Sequence, residues 1–149
     1  MQTQHTSIAL LATGDEIISG DLTDTNSAHL SKILEANRYF VRTHLGVRDD
    51  LHDLTHAICW LKTQHRVIIT IGGLGPTQDD LTRQALSEAL NLPLVFHKEI
   101  WERIENKFQM WQKPCPQINQ RQAYFLEGAT IWHNTEGTAD AALYHTKQF

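Results

Sequence analysis

The sequence has 149 residues, with 13 lysines and arginines against 17 aspartates and glutamates, and 41% of its residues are hydrophobic. This size and composition predict a single globular domain over residues 1–149, with one hydrophobic core. The formal net charge of -4 argues against nucleic acid or an anionic membrane as a partner, because binding to either needs an excess of basic residues.

Export and membrane insertion are also disfavoured. The longest apolar runs, residues 8–12 and 67–71, are far shorter than the ~20 residues that cross a bilayer. Residues 1–7 are polar and do not open a signal peptide. The two cysteines, Cys59 and Cys115, form neither a disulfide framework nor the spacing of a metal knuckle. We therefore expect a cytoplasmic protein.

Strand-like and helix-like runs alternate along the chain. Residues 7–13 are apolar almost throughout, residues 39–47 form a second strand-like run, and residues 67–71 are rich in β-branched side chains. Apolar positions at helical spacing predict four helices, over residues 25–37, 51–61, 81–89 and 100–111. Thr25 and Asn26 are candidate caps of the first helix. Shorter strands are predicted at residues 130–133 and 141–145.

This alternation predicts a parallel sheet with helices on both of its faces. The loops that follow parallel strands emerge at the same carboxyl edge, where such sheets bind ligands. The loops that begin at Gly14, Arg48 and Gly72 should therefore converge.

The glycine-rich loop G-G-L-G-P-T, residues 72–77, lies between a predicted strand and a predicted helix. Its glycines allow bare backbone N–H groups to approach an anion at a helix N-terminus. Thr77 and Thr82 could add hydroxyl donors, and Pro76 stiffens the turn. The loop lacks the lysine of a P-loop and the spacing of a dinucleotide fingerprint, and a tight turn without a ligand is the alternative.

Acidic residues follow each of the three main strands. They are Asp15 and Glu16, Asp49 and Asp50, and Asp79 and Asp80. Carboxylates around an anion cradle repel the anion unless a divalent cation lies between them, and magnesium or manganese suits oxygen ligands best. The alternative is helix capping, and we interpret one member of each of the last two pairs as a cap and the other as a site residue.

Two further pairs of residues and one arginine allow more than one interpretation. His52 and His56, four apart on a predicted helix, could hold a metal ion, but they lie off its apolar stripe, which favours a solvated face. Trp101 and Trp111 favour a core or subunit contact over a platform for ring stacking. Arg121 fits either a phosphate contact or a surface salt bridge.

Several segments together resemble a known family. They are T-G-D-E-I-I-S-G at 13–20, D-T-N at 24–26, G-G-L-G-P-T-Q-D-D-L-T-R at 72–83, N-Q-R-Q-A at 119–123, and Asn134 followed by Gly137-Thr138-Ala139. In this order they resemble the molybdopterin-binding domain of molybdenum-cofactor biosynthesis proteins. The resemblance is strongest to the N-terminal domain of the competence/damage-inducible CinA family.

The resemblance implies a three-layer α/β/α sandwich with a mostly parallel central sheet. Family members either bind a pterin dithiolene diphosphate and transfer adenylate or, in the CinA branch, cleave the pyrophosphate of ADP-ribose with a divalent metal. For this chain it implies magnesium or manganese as cofactor, a nucleotide diphosphate or molybdopterin as ligand, and a homo-oligomer.

The resemblance also assigns residues. Asp49 and Asp80 would be the catalytic acids and the metal ligands. The residues expected to bind ligand or phosphate are Gly14, Asp15, Glu16, Asn26, Gly72, Gly73, Gly75, Pro76, Thr77, Thr82, Asn134, Gly137 and Thr138.

The chain departs from the family pattern in two places. Where the family reads G-T-A-P-G, residues 137–141 read G-T-A-D-A, and the chain stops at Phe149, where members continue. We therefore expect a domain shortened at its C-terminus. Three functions stay open: a metal-dependent hydrolase of a nucleotide-linked diphosphate, a molybdopterin adenylyltransferase, and a non-catalytic pterin- or nucleotide-binding module.

Overall fold

A computed structural model describes residues 6–146. These residues fall into two units, the first ending at Gly73 and the second beginning at Leu74. The first unit contains β1 (Ile8–Thr13), α1 (Asp15–Ser19), α2 (Thr25–Ala36), β2 (Val41–Val47), α3 (Leu51–Gln64) and β3 (Val67–Ile71). The second contains α4 (Thr82–Leu90), β4 (Leu94–Phe96), α5 (Lys98–Met110), a 3₁₀ helix (Gln117–Ala123), β5 (Tyr124–Leu126), β6 (Thr130–Trp132) and β7 (Ala141–Leu143).

The first unit is built on a parallel three-stranded sheet in the order β2-β1-β3. The central strand β1 is buried along its whole length, and Leu10 within it pairs with His44 on one side and Ile69 on the other. The predicted parallel sheet is confirmed in this unit. The second strand begins at Val41, two residues later than the sequence indicated.

Helix α3 packs against this sheet through Leu54, Ile58 and Leu61, each at most 1% exposed. Their spacing is that of the apolar stripe in the sequence, so this predicted helix is confirmed. The N-cap of α2 is Asp24, whose carboxylate accepts the backbone N–H of Ser27 at 2.9 Å. The prediction that Thr25 and Asn26 cap this helix is therefore wrong. A carboxylate one residue earlier reaches the free N–H group instead.

The second unit contains two antiparallel strand pairs, β4 with β5 and β6 with β7. Its core is formed by Ile100 and Ile104 of α5 together with Ala123 and Phe125. The predicted fourth helix is confirmed as α5, and β6 and β7 confirm the two predicted short strands within narrower bounds. The sequence did not predict β4 and β5, because strands of three residues are too short to show a two-residue period.

Within residues 6–146, no helix combines the length and the apolar character that crossing a membrane requires.

Candidate functional site

The three loops at the carboxyl edge of the parallel sheet come together in the first unit. The backbone N–H of Gly14 donates to the carbonyl of Val47 at 3.2 Å, which joins the ends of β1 and β2. A Cβ atom on Gly72 would lie 2.7 Å from the carbonyl oxygen of Thr13, and the φ angle of Gly72 is +99°. Both facts require glycine after β3. The predicted convergence of these loops is confirmed.

Asp49 ties two of these loops together. Its Oδ1 accepts the hydroxyl of Thr13 at 2.6 Å, and its Oδ2 accepts the backbone N–H of Asp15 at 3.2 Å. The adjacent Asp50 is the N-cap of α3 and accepts the N–H of Asp53 at 2.9 Å. The sequence predicted that one residue of this pair caps the helix and that the other belongs to the site. The first part is confirmed, because Asp50 is the cap. A catalytic or metal-binding role for Asp49 stays a prediction.

Four further predicted ligand residues of the first unit lie at the starts of its first two helices, and a fifth, Gly73, follows β3. Gly14 is buried and is the N-cap residue of α1, while Asp15 and Glu16 are exposed in its first turn. Asn26 is exposed in the first turn of α2. Gly73 has a φ of +61°, in the left-handed region that favours glycine. Their contacts with a ligand stay predictions.

In the second unit, the predicted phosphate loop closes around the carboxylate of Asp80. Asp80 accepts the backbone N–H of Gly75 at 2.8 Å, the backbone N–H of Thr77 at 2.8 Å and the hydroxyl of Thr77 at 2.6 Å. A Cβ atom on Gly75 would lie 2.6 Å from Asp80 Oδ2, so a larger residue would break the loop. The donors of Gly75 and Thr77 that the sequence assigned to phosphate are therefore engaged by Asp80.

One further expectation for this segment needs correction. Helix α4 has Leu81 at its N-cap position, so neither Asp79 nor Asp80 caps it, because the Asp80 carboxylate is turned into the preceding loop. Thr82 is only 1% exposed, and its contact with phosphate stays a prediction. Pro76 is half-buried within the loop, as a residue that stiffens a turn can be.

The hydrogen bonds in this loop favour the ionised form of Asp80. Partial burial by itself raises the pKa of this carboxyl group, but the hydroxyl and N–H of Thr77, the N–H of Gly75 and the charge of Arg121 all lower it. The net effect is a pKa below the ordinary value of 3.8. Asp80 is therefore a carboxylate at neutral pH, with its negative charge fixed in position by its own loop.

A cavity of about 240 Å³ lies beside Asp80. It is lined by Gly75, Asp80, Arg83, Gln84, Leu94, Arg121 and Tyr124. The side chain of Arg121 also donates to the carbonyl of Thr77. One carboxylate and two guanidinium groups therefore share this cavity, which favours an anionic ligand. Of the two open interpretations of Arg121, its position favours the phosphate contact.

The guanidinium of Arg83 is only partly hydrogen-bonded. Its Nη1 donates to the carbonyl of Leu74 at 2.8 Å, and its guanidinium lies 5.0 Å from the ring centre of Phe125. Its Nε and Nη2 are buried and have no hydrogen-bond partner among the described residues. Burial lowers the pKa of Arg83 to about 10, so the group is still a cation at pH 7. A buried donor without a partner costs about 1–3 kcal/mol, which an anion in this cavity could offset.

Arg83 is the last residue of the family motif at residues 72–83, but the sequence assigned it no role. In the sequence it is an arginine three residues after an acidic pair, at the start of a predicted helix. That position alone is typical of many exposed arginines, and only the structure shows the missing partners.

The loop formed by residues 134–140 is held by its own side chains. Asn134 Oδ1 accepts the N–H of Glu136 at 2.9 Å and that of Gly137 at 3.1 Å, and Asn134 Nδ2 donates to the carbonyl of Ala139 at 3.1 Å. Thr138 is half-buried in the same loop. Asn134 and Gly137, predicted to contact ligand, thus maintain the loop conformation, and their direct contact with ligand stays a prediction.

Helix α5 anchors this loop with two cations. The ammonium of Lys107 donates to the carbonyl of Asn134 at 2.6 Å and to that of Gly137. The guanidinium of Arg103 pairs with Asp140, which is 1% exposed and also accepts the N–H of Asn134 at 2.9 Å. The aspartate that departs from the family pattern is therefore a buried anion with a cationic partner, as a buried charge requires.

We expect the Arg103→Met variant to destabilise the second unit, because it removes the guanidinium that pairs with the buried Asp140 carboxylate. The expected loss in the free energy of unfolding is roughly 3 kcal/mol, measured by urea denaturation. Lys98→Met on the same helix is the matched control, since the Lys98–Glu102 pair is exposed, with side chains 81% and 55% accessible. The control should lose no more than about 0.5 kcal/mol. Equal losses in the two variants would contradict this account of Asp140.

We expect Thr77→Val to raise the pKa of Asp80 towards 3.8, because the substitution removes the hydroxyl that lowers it. The carboxyl titration can be followed by NMR. A folded-state pKa below the unfolded value adds stability above pH 3.8 that is lost as the pH falls through the folded-state pKa, and Thr77→Val should reduce this acid dependence. Thr135→Val, which removes an exposed hydroxyl that donates to Glu136, should leave the Asp80 titration unchanged. A pKa of Asp80 that does not respond to Thr77→Val would be the contrary result.

Comparison with known proteins gives consistent matches. The sequence profile of the family described as "Probable molybdopterin binding domain" matches residues 9–147. A competence-damage inducible protein of Caldicellulosiruptor bescii is 39% identical over 137 residues, which are 90% of this chain and 33% of that protein. A CinA-like protein of Desulfosudis oleivorans is 38% identical over 130 residues, 87% of this chain and 32% of that protein. The chain thus spans about a third of the length of these relatives.

Solved structures agree in fold. CinA from Thermoplasma acidophilum, a protein of unknown function, superposes with a TM-score of 0.83 at 24% identity, covering 92% of this chain and 80% of that one. MoaB from Thermus thermophilus superposes with a TM-score of 0.54 at 17% identity, covering 81% and 79%. These likenesses confirm the predicted α/β sandwich. Because the family profile spans nearly all of the sequence, this chain belongs to the molybdopterin-binding domain family, and it is similar to one part of CinA-like proteins.

Proposed function

We propose that this chain binds a nucleotide-linked diphosphate and hydrolyses it with magnesium or manganese, with ADP-ribose as the type of substrate. The observation that carries the proposal is the cavity beside Asp80, where the partly unpartnered guanidinium of Arg83 and that of Arg121 adjoin an ionised carboxylate. Two cations attract a diphosphate, and membership of the molybdopterin-binding domain family supports a small phosphorylated ligand.

The size of the cavity supports recognition of the phosphates rather than of the organic groups. Its volume of about 240 Å³ lies below the ~300–1,000 Å³ typical of pockets that enclose a whole small molecule. A diphosphate needs much less room than a nucleotide. We therefore expect this cavity to hold the diphosphate, with binding energy supplied by charge-assisted hydrogen bonds from Arg83 and Arg121.

The donor chemistry fits a hard divalent cation. Asp80 is ionised, and its Oδ1 accepts one hydrogen bond, from Gly75 N–H, whereas its Oδ2 accepts two, from Thr77. Such an oxygen keeps room for a metal ion, and carboxylates are preferred ligands of magnesium and manganese. Without a cation, Asp80 would repel the diphosphate that the arginines attract. That Asp49 shares this metal with Asp80 stays a prediction from the family resemblance.

The proposed reaction is attack of water on the phosphorus that bears the adenosine. The P–O–P bond breaks, and ADP-ribose plus water becomes AMP plus ribose 5-phosphate. When bound, the metal ion supplies charge neutralisation and lowers the pKa of the attacking water. Arg83 and Arg121 hold the diphosphate in line and counter the charge that develops on the leaving phosphate. Asp80 holds the glycine-rich loop in the shape that brings these groups to one cavity.

We expect the native chain to release AMP from ADP-ribose in the presence of Mg²⁺ or Mn²⁺, measured by chromatography. Asp80→Asn should lower the rate by about 100-fold or more, because it removes a charge on which the site depends. Asp79→Asn is the matched control, since Asp79 is exposed and adjacent, and its rate should equal that of the native chain. The melting temperature of each variant shows whether it is folded.

Arg83→Met tests binding while the three hydrogen bonds that Asp80 accepts from Gly75 and Thr77 stay in place, although it removes the bond from Arg83 Nη1 to the Leu74 carbonyl. This variant should weaken ADP-ribose binding in calorimetry while the Asp80 titration stays depressed. A thermal shift by ADP-ribose without AMP would favour the non-catalytic binding module. ATP consumption only when a pterin is supplied would favour adenylyl transfer. AMP release that survives Asp80→Asn unchanged would contradict the proposed site.

A further inference from the structure

The N-terminal end of α3 carries a cluster of exposed metal-ligating side chains that the proposed function does not use. Asp50, His52 and Asp53 each offer one ligand atom, and these atoms all lie within 4.8 Å of one another. His52 Nδ1 is 3.6 Å from Asp53 Oδ1. This cluster brings an imidazole into a set of carboxylates, which distinguishes it from the purely acidic clusters common on protein surfaces.

A second imidazole adjoins the cluster one helical turn later. The ring centres of His52 and His56 are 3.9 Å apart, with the rings inclined at 62°. Residues three and four apart are neighbours on a helix surface, so His56 adjoins both Asp53 and His52. Two imidazoles and one carboxylate thus lie on one patch of α3. The sequence favoured a solvated face for the two histidines, and their exposure agrees with that prediction.

Open space adjoins this patch. Asp53 and His56 line a cavity of about 380 Å³ together with Ile18, Gly46, Val47 and Arg48. Arg48, the cation among these lining residues, is paired with Asp15 at 3.4 Å. A metal ion held here would therefore face a cavity with room for water or a small ligand, without an unpaired cation opposite it.

We propose that His52, Asp53 and His56 form a binding site for a divalent transition-metal ion of the zinc class, such as Zn²⁺, Co²⁺ or Ni²⁺. Imidazole ligands select these ions over magnesium and manganese, which prefer sites made of oxygen alone. Three protein ligands leave one position of a tetrahedral ion open. Asp50 adds negative charge, while its Oδ1 remains the N-cap acceptor of Asp53 N–H. The site is separate from the magnesium or manganese site proposed at Asp80 and does not depend on it.

The test is a calorimetric titration of the untagged, chelator-treated chain with Zn²⁺ in excess Mg²⁺. We expect one ion to bind per chain, and His52→Gln and His56→Gln each to weaken binding by about tenfold or more. His29→Gln is the matched control, because His29 is also exposed on a helix but has Thr25 and Ile33 at the neighbouring positions. The control should bind Zn²⁺ as the native chain does.

Two further measurements identify the ligands. The imidazole NMR signals of His52 and His56 should shift on addition of Zn²⁺, with those of His29 unchanged. Asp50→Asn, which keeps an N-cap side chain, should weaken binding less than Asp53→Asn. Absence of saturable Zn²⁺ binding, or binding that the two histidine substitutions leave unchanged, would overturn the proposal whatever the outcome of the ADP-ribose assay.

Discussion

The candidate site in the second unit depends on the hydrogen bonds that the carboxylate of Asp80 accepts from its own loop. This carboxylate accepts three hydrogen bonds from Gly75 and Thr77, and these bonds both shape the loop and favour the ionised form of Asp80. As a result, the loop presents a fixed negative charge instead of free N–H donors. On the proposed function, the neighbouring cations Arg83 and Arg121 recognise the anionic ligand, and a metal ion would weaken the repulsion between that ligand and Asp80.

Carboxylates that accept hydrogen bonds from loop residues also occur elsewhere in the chain. Asp49 collects a hydroxyl and an N–H from Thr13 and Asp15 at the carboxyl edge of the parallel sheet. Asp140 is almost fully buried, accepts an N–H from the loop it closes, and is paired with Arg103. In each case a carboxylate satisfies polar groups that an irregular loop leaves without a helix or sheet partner. The environments differ: Asp80 lines a cavity together with Arg83, two of whose buried nitrogens have no partner among the described residues.

Much of the first unit could be predicted from the sequence, because its structure follows local patterns. The apolar run of β1, the stripe of α3 and the glycines after β3 each express a period or a backbone requirement that the residues carry themselves. Parallel topology then brings the loops to one edge without further information. The same local rules predicted that one of Asp49 and Asp50 caps α3, and the structure shows that it is Asp50.

The second unit was less predictable, because its decisive contacts join residues far apart in sequence. Arg103 pairs with Asp140, and Lys107 donates to Asn134, across about thirty residues or more of sequence. No local pattern in either segment predicts its partner. In the glycine-rich loop, the decisive contact is local, but the sequence did not predict it. The composition of the loop predicted donors for phosphate, but the sequence could not show that Asp80, five residues after Gly75, would occupy them first.

On the proposed function, Arg83 binds the diphosphate beside Asp80 through its unpartnered Nε and Nη2. This contact can be followed by the NMR signal of the Arg83 Nε–H group during titration with ADP-ribose in the presence of Mg²⁺. We expect this signal to shift in a saturable manner and the Nε–H signal of the exposed Arg42 to stay unchanged. If ADP-ribose binds and the Arg83 signal does not shift, Arg83 does not hold the diphosphate.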